Sequence, residues 1–495
     1  MILASFFVNV TNAIQFTNEF WVSTNTNTAN LGTLADPYDG STAAKFDLVM
    51  TNMPSNCVVH ILAGTYQTRG KPSDGSAGWV VHSGEKIRGS GIDTTILHVA
   101  ASAPEQTEMV FLPPGPNTDV EVSDITVDAS GNTNIDGVTL FGSRNAIRRV
   151  KAVNFLSEGF ELFILVIPAG PSFALSEGNI IEECEVSNCL AIRDIHNNPG
   201  GISAMELTGS ASNIITGVIR NNRVFLANSS TSGSLGEYAF NIGASNLLIE
   251  GNYVNGATVG VYSEGSDPNL IVANNVFKNC DAGMRFAIQP ENNITFCFNT
   301  VELASNSTRG YTTVFDINNA AGTNPVTLTN VVIIGNTLKF DTSQAGGQAY
   351  NLSAGNISGL VMCNNSIDST MTNLITNCTG VNIYNNVDLF GNALTNINQI
   401  DPPNGFIRKS LSASYTATYA DYYFGMRTMG GVTYLTLPSA VGHAGKEFIL
   451  ANETGSSAVT LFLATAPDTV KGAGGVANPY SGVAVLSDGT NWYVR

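Results

Sequence analysis

The sequence is poor in charged residues, and basic residues are the scarcest among them. Asp, Glu, Lys and Arg together make up 12% of the 495 residues, about half of the usual share. Lys and Arg number 22 against 39 for Asp and Glu, which gives a formal net charge of −17. Because nucleic acids and anionic membrane surfaces are bound by basic patches, the composition argues against both partners.

Long apolar runs are also missing, and the opening of the sequence is only a weak match to an export signal. The opening stretch, MILASFFVNVTNAIQF, contains no basic residue and is interrupted by Asn and Thr. It has no clear small-residue cleavage site. It is too short and too polar to span a membrane, so we expect no membrane insertion.

Metal-ligand and nucleophile motifs are absent. The sequence has no HExxH, GxSxG or phosphate-binding loop, and its five histidines show no ligand-like spacing. Seven scattered cysteines include no Cys-x-x-Cys pair, although Cys184 and Cys189 could bond. We expect the cysteines to be small buried apolar residues, and we predict neither a metal site nor a cofactor.

A short polar motif does return along the central part of the chain. Each copy reads apolar, two further residues, Asn, any residue, apolar, as in LIEGNYVNG at 248–256. The asparagines of this column are Asn222, Asn252, Asn275, Asn299, Asn336, Asn365 and Asn386. Their shortest spacings are 21 to 24 residues, and longer intervals contain inserted loops. Such a period indicates one repeating supersecondary unit.

The repeat favours a parallel β-helix. Its segments are short, rich in Val, Ile, Phe and Thr, and joined by Gly and Asn turns, whereas the leucine-rich signature is missing. In a β-helix, equivalent residues of successive coils stack about 4.8 Å apart. The Asn column is then expected to be architectural, because Asn tolerates a left-handed backbone at a corner and its amide can bond to the next coil.

Residues 20–100 add a resemblance to a known family. The segments FWVS, DPYDG, ILAGTY and KIRGSGIDTTIL resemble the opening of the pectate-lyase-like right-handed parallel β-helix superfamily. The resemblance covers about residues 20–390 and implies an all-β fold with a right-handed, single-stranded parallel β-helix. It leaves the activity open, since the superfamily includes lyases, hydrolases, esterases and adhesins.

The last part of the chain differs from the repeat. After the turn-rich DPPNG at 401–405, alternating segments predict a small antiparallel β-domain. LTLPSA, AGKEF and the final VLSDGTNWYV resemble C-terminal modules of bacteriophage tailspikes and tail fibres. We therefore predict an N-terminal segment at 1–19, a β-helix at 20–400 and a C-terminal β-domain at 401–495, for trimerisation or for receptor or glycan binding.

One further column of the repeat carries candidate site residues. The segments SAMELTG, YAFNIGA, GVYSEGS, GMRFAIQ, TVFDINN and AYNLSAG can be aligned by their apolar residues. The outward column then contains Glu206, Asn241, Tyr262, Arg285, Asp316 and Asn351, with Glu264 on the same face.

These side chains suggest two kinds of chemistry. Glu264 and Asp316 would lie about 10 Å apart, near the roughly 6.5–9.5 Å of an inverting glycosidase, so Glu264, Asp316, Arg285 and Glu206 are catalytic candidates. The alternative is a surface ladder of salt bridges. Tyr262, Asn241, Tyr311 and Trp79 are candidates for glycan binding, by stacking on sugar rings and bonding to hydroxyls; the alternative is that the aromatic residues pack under loops.

Three functions remain open. The first is a virion appendage, a homotrimeric tailspike or receptor-binding protein that contacts other virion proteins and recognises a host cell-surface polysaccharide, with or without depolymerase activity. The second is a secreted, extracellular polysaccharide lyase or hydrolase, and the third is a bacterial surface adhesin.

Overall fold

A computed structural model gives the architecture. It describes the following residues: 18–25, 29–72, 79–101, 107–111, 117–130, 135–155, 160–163, 168–169, 172–173, 177–189, 200–205, 217–226, 238–263, 269–286, 291–303, 313–316, 327–340, 348–351, 356–368, 372–374, 378–379, 382–384, 386–388, 407–411, 415–417, 421–426, 432–441, 446–452, 458–464, 470–471, 476–477 and 482–494. The chain separates into two compact units, the second of which contains Gln399–Arg495.

The first unit is a parallel β-helix whose coils contribute strands to three faces. The first face is built from Asn18–Ser23, Cys57–Ile61, Lys86–Arg88, Asn179–Glu182, Gly217–Arg220, Leu247–Glu250, Ile271–Ala273, Glu291–Cys297 and Thr327–Ile334. The second face is built from Gly64–Thr68, Thr95–Val99, Glu185–Cys189, Arg223–Leu226, Tyr253–Asn255, Val276–Cys280, Thr300–Leu303, Thr337–Phe340, Ser366–Ile367 and Val387–Asp388. Glu121–Asp128 and Ala146–Val153 belong to both faces, because they turn the corner at Asp124 and Arg149, with φ of 59° and 50°.

The third face is a separate parallel sheet. Its strands are Thr107–Phe111, Ile135–Ser143, Phe160–Phe163, Gly200–Met205, Tyr238–Gly243, Val259–Ser263, Ala282–Phe286, Thr313–Asp316, Gln348–Asn351 and Thr372–Leu374. Asn356–Ser358 and Val361–Cys363 pair with Thr327–Ile334 and continue the first face. Of the other short strands, Tyr38–Asp39 pairs with Asn18–Ser23, Lys71–Pro72 with Thr107–Phe111 and Asn117–Thr118 with Ile135–Ser143, while Pro168–Ala169 and Ser172–Phe173 pair with each other. Cys378–Thr379 and Asn382–Tyr384 belong to the second unit.

Stacked apolar side chains fill the inside of the β-helix. On the second face, for example, Val224, Val254, Phe277, Val301 and Leu338 lie opposite one another in successive coils. All five side chains are fully buried. Because side chains alternate along a strand, the residues between them point outward and can be polar.

The repeated Asn column lies at the corner between the first and second faces, as a ladder of buried amides. The Oδ1 atom of Asn275 accepts hydrogen bonds from the main-chain N–H and from Nδ2 of Asn252, both at 2.9 Å. Nδ2 of Asn252 also donates to the carbonyl of Ile219 at 2.9 Å. The same pattern extends from Asn222 to Asn386, so the predicted ladder is confirmed.

From Asn222 to Asn365, the left-handed backbone at this corner belongs to the residue before the ladder Asn, not to the ladder Asn as predicted. Asn221, Asn274 and Asn364 have φ between 55° and 57°, and Gly251 and Gly335 take the same position with φ of 65° and 68°. The ladder Asn is reserved for hydrogen bonding, and the preceding residue makes the turn.

One α-helix, Ala43–Thr51, lies near the start of the described β-helix. Thr42 caps it, and its Oγ1 accepts the Lys45 N–H at 3.4 Å. Phe46 and Met50 are fully buried. The helix packs against the strand Gly64–Thr68 and adds to the apolar core there.

The second unit is all-β with mixed strand pairing. Its other strands are Ile407–Leu411, Tyr415–Thr416, Asp421–Met426, Val432–Leu437, Glu447–Asn452, Ala458–Ala464, Val470–Lys471, Val476–Ala477, Gly482–Ser487 and Trp492–Val494. The predicted antiparallel pairing is found where Gly482–Ser487 meets Glu447–Asn452 and Trp492–Val494. The earlier strands of both of its sheets pair in parallel.

The predicted fold class, a right-handed parallel β-helix followed by a small β-domain, is thus confirmed. Cys57, Cys184, Cys189, Cys280, Cys297 and Cys363 are free and buried, as expected, so Cys184 and Cys189 do not bond. In the described part of the chain, no helix has the length and apolar character that a membrane-spanning segment requires.

Candidate functional site

Outward side chains are spaced further apart on the third face than on a regular strand. A Cβ atom at Gly201, Gly260 or Gly283 would meet core side chains of the second face, so these three positions point inward. The next residue of each strand, for example Val261 or Met284, is also fully buried. Two successive inward residues break the usual alternation and leave outward positions three residues apart.

Two outward columns result. The first, here called the flanking column, contains Gly200, Tyr238, Val259, Ala282 and Thr313. The second, here called the polar column, contains Ser203, Asn241, Tyr262, Arg285, Asp316 and Asn351. From Asn241 to Asn351, the residues lie opposite one another in the order that the sequence alignment predicted.

A stacked aromatic pair joins the two columns. The rings of Tyr238 and Tyr262 have centroids 4.0 Å apart and planes inclined by 18°. Tyr238 is only 7% exposed, whereas Tyr262 is partly exposed. Tyr238 therefore holds the Tyr262 ring in place and leaves part of it open to solvent.

A buried ion pair follows in the next two coils. Nε of Arg285 lies 3.7 Å from Oδ2 of Asp316, and the two side chains are 14% and 1% exposed. A carboxylate with so little solvent contact depends on its charged partner, because an unpaired buried charge is costly. The pair gives this part of the face a fixed arrangement of charge.

The other predicted site residues are not all brought to this surface. Asn241 is fully buried, so its amide is not exposed to a ligand. Glu206, Glu264 and Tyr311 lie outside the described residues. The alignment that placed Glu206 opposite Asn241 is wrong, because Ser203 takes that place. The alignment was displaced by three residues, which is the spacing of the two outward columns along a strand.

Trp79, predicted as a glycan-binding residue, is instead part of the core. It is 1% exposed, and its ring meets the Phe46 ring edge-on with centroids 6.1 Å apart. Its Nε1 donates to Thr68 Oγ1 at 2.9 Å, and that hydroxyl donates to Asp47 at 2.6 Å. Burial raises the pKa of the Asp47 carboxyl, while the bond from Thr68 favours its charged form. Trp79 thus completes a buried network under the helix.

Sequence reasoning missed Tyr238, which lies in the flanking column. The available signal was the glycine that recurs in the middle of these strands, at Gly201, Gly260 and Gly283. A residue without a side chain at an inward position lets the next side chain turn inward as well. The residue before each glycine, such as Val259 or Ala282, then points outward beside the polar column.

The described residues offer stacking and charge but no second carboxylate beside Asp316. In the described strands of the polar column, carboxyl residues occur at Asp316 and at Glu161, which lies opposite Ser203. Five strand steps separate them, or about 24 Å, whereas glycosidase carboxyl pairs stand within roughly 10 Å. Within the same described part of the chain, no group of three or more His, Cys, Asp or Glu is placed to hold a metal ion.

Comparison with solved structures shows the same fold in other proteins. A mutant tailspike protein of E. coli bacteriophage HK620, in complex with a pentasaccharide, has a TM-score of 0.56 and 12% identity, covering 89% of this chain and 78% of its own. Another structure of that tailspike with pentasaccharide gives 0.54 and 12%, with coverage of 87% and 77%.

The A-module of the Azotobacter vinelandii mannuronan C-5 epimerase AlgE4 gives a TM-score of 0.47 and 13% identity, with coverage of 71% and 90%. No family model matches the chain, and no curated protein matches its sequence. At 12% identity, the likeness to the two tailspike structures concerns the fold alone.

Proposed function

We propose that this chain is a tailspike-like virion appendage that recognises a cell-surface polysaccharide on the outer surface of its third face. The observation that carries the proposal is the stacked pair of Tyr238 and Tyr262 beside Arg285 and Asp316. Sugar rings pack on aromatic faces, and arginine donates several hydrogen bonds to hydroxyl or carboxylate oxygens. The likeness to a tailspike solved with a pentasaccharide supports the same reading.

Assembly and location belong to the same proposal. A tailspike of this kind is a homotrimer that contacts other virion proteins and lies on the outside of the particle. Light scattering on undenatured protein tests the trimer, and a monomeric mass would count against it.

Substitution of Tyr262 tests glycan binding. Tyr262→Ala should weaken binding to a responsive host polysaccharide about two- to tenfold, since stacking on one aromatic ring contributes about 0.5–1.5 kcal/mol. Tyr262→Phe keeps the ring and should retain most of the affinity. Binding would be measured by surface plasmon resonance against polysaccharides purified from candidate hosts.

Tyr253 provides the matched control. It is partly exposed on the second face and packs on Phe225 with centroids 5.8 Å apart. Tyr253→Ala should leave the affinity unchanged. Equal losses in the Tyr262 and Tyr253 variants would remove the third face from the proposal.

Cleavage of the bound polysaccharide, as a depolymerase or as a secreted extracellular lyase or hydrolase, is the second candidate. The observation that favours it is a carboxylate, Asp316, that is 1% exposed and held against Arg285. We propose Asp316 and Glu264 as the acid–base groups, with Arg285 orienting the sugar. If Asp316→Asn and Glu264→Gln both release oligosaccharides at the wild-type rate, these residues have no part in the chemistry. Binding without cleavage in the wild type would leave recognition alone, as in an adhesin.

A further inference from the structure

The outward side of the first face changes character along the β-helix. One outward column, here called the apolar stripe, consists of Ile180, Val218, Leu248, Ile271, Thr295 and Val332. By strand spacing it runs for about 24 Å. Its members are partly exposed, and Ile271 is the most exposed at 40%.

The neighbouring outward column becomes apolar as well. It reads Glu182, Arg220, Glu250, Ala273, Cys297 and Ile334 in successive coils. At the adjoining corner, Phe298 is 54% exposed and packs close to Gly335. From Ile271 onward the two columns carry no charge: Ile271 and Phe298 are exposed, Val332 and Ile334 are partly exposed, and Thr295 is the one polar residue of the stripe.

The core of the β-helix does not need these side chains. The inward positions of the same strands are Ile181, Ile219, Ile249, Val272, Phe296 and Ile333, and all are fully buried. The stripe is thus a second apolar surface on the opposite side of the strands. Contiguous exposed apolar surface of this kind marks interaction sites in soluble proteins.

Charge indicates which partner fits. The chain carries −17, so two copies repel each other over most of their surfaces. On the first face, however, Arg148, Glu182, Arg220 and Glu250 alternate in one column and cancel. The Glu182 carboxylate lies 2.6 Å from Arg220 and also contacts Arg148. A highly charged partner gains little from such a face, whereas a second copy meets no repulsion there.

We propose that the apolar stripe packs against a second copy of this chain. The stripe forms the dry centre of the contact, and the alternating charges beside it form a polar rim. The inference gives a surface to the self-association that the proposed function includes. Glycan binding by the third face does not depend on it.

Glutamate substitutions in the stripe test the inference. Ile271→Glu, alone and with Val218→Glu, should reduce the mass measured by multi-angle light scattering from that of an oligomer to the 52.1 kDa of one chain. Because both side chains point outward, these substitutions should leave the circular dichroism spectrum unchanged. Leu48→Glu is the matched control, because Leu48 is 63% exposed but lies on the helix, away from the stripe. It should keep the oligomeric mass.

Two results would overturn the inference. One is an unchanged mass in the stripe variants, and the other is a monomeric wild type. Should Ile271→Glu fail to fold, Thr295→Lys adds a charge at an already polar position of the same column and is expected to dissociate the oligomer. Polysaccharide binding, measured on the same samples, separates this inference from the proposed function. A wild type that forms an oligomer but binds no glycan would refute glycan recognition and leave the stripe as the contact between copies.

Discussion

At the scale of single residues, the ladder asparagines are the most constrained side chains of the β-helix. Between the two ends of the ladder, each Oδ1 accepts two hydrogen bonds from the preceding coil, and each Nδ2 donates both to a carbonyl and to the next Oδ1, as Asn275 does with Ile249 and Asn299. Few other residue types offer an acceptor and two donors in this space. The structure explains why the sequence repeats Asn here.

Removing one ladder side chain should therefore be costly. Asn275→Ala leaves the main-chain N–H and the amide of Asn252 without their acceptor in a buried corner. Each unsatisfied buried group costs about 1–3 kcal/mol, so the free energy of unfolding should fall by about 3 kcal/mol. Urea denaturation followed by circular dichroism measures it. Asn255→Ala, at a partly exposed position that accepts one bond from Asn279, should lose less than about 1 kcal/mol; equal losses would refute the special role of the ladder.

Glu85 should make stability depend on pH. It is fully buried, its Oε2 accepts the His82 N–H at 2.8 Å, and its Oε1 has no hydrogen-bond partner. Burial raises the pKa of the Glu85 carboxyl, and the nearby carboxylate raises the pKa of His82. A raised pKa means that the folded protein holds the proton more tightly. The stabilisation is then complete below the ordinary values of 4.5 and 6.5 and is lost as pH rises through the folded pKa.

Substitution by glutamine isolates this effect. Glu85→Gln cannot ionise, so its urea midpoint should exceed that of the wild type at pH 8, and the difference should shrink towards pH 4. Asp39→Asn is a suitable control, because the Lys45 ammonium lowers the pKa of Asp39 to about 2 and its stabilisation is lost only in acid, the opposite trend. Parallel pH profiles for wild type and Glu85→Gln would contradict the prediction.

At the scale of secondary-structure elements, the corners decide which residues are tolerated. From Asn222 to Asn365, the position before the ladder Asn has a left-handed backbone, which Asn and Gly adopt far more readily than branched residues. The repeat is visible in the sequence because this requirement returns in every coil. The sequence did not show that the first polar residue of the motif makes the turn and the second makes the hydrogen bonds, since both are often Asn.

A pair of substitutions at Gly251 checks this requirement. Gly251→Asn places there the residue that Asn221 and Asn274 already represent in neighbouring coils, so it should cost less than about 1 kcal/mol. Its new Cβ would approach the movable amide oxygen of Asn221. Gly251→Val should cost about 2 kcal/mol or more, because a β-branched residue strains at φ of 65°. Thermal melting of both variants would compare them; equal losses would show that the backbone does not set the limit.

The third face shows where reading the sequence as elements succeeds and fails. Alternation of apolar residues placed Asn241, Tyr262, Arg285 and Asp316 correctly, because each strand keeps its last outward residue in register. It failed in the coil of Glu206, where long inserted loops leave several alignments equally apolar. Trp79 was misplaced for another reason: its burial depends on packing under a helix that is distant in sequence.

At the scale of the whole molecule, apolar residues build the core of the β-helix and also part of its surface, and that surface differs from face to face. The third face carries the stacked tyrosines and the Arg285–Asp316 pair, whereas the first face carries the apolar stripe. A β-helix with distinct faces can bind a ligand on one side and a partner on another. The Asn repeat predicted the fold class, but the distribution of surface features among the faces required the strand register of each coil.

Thiol chemistry offers a probe of that core as a whole. Cys57, Cys184, Cys189, Cys280, Cys297 and Cys363 are buried and free. Burial raises the pKa of the Cys57, Cys184, Cys189 and Cys280 thiols to about 12, so almost no thiolate exists at pH 8. Iodoacetamide should therefore leave these cysteines unmodified in native protein and label them fully in urea, as read by mass spectrometry. The urea midpoint should be the same with and without dithiothreitol, because these cysteines form no disulfide that reduction could remove. Rapid native labelling at Cys184 or Cys280 would instead show that coils open locally, and that the stacked apolar columns are not one cooperative core.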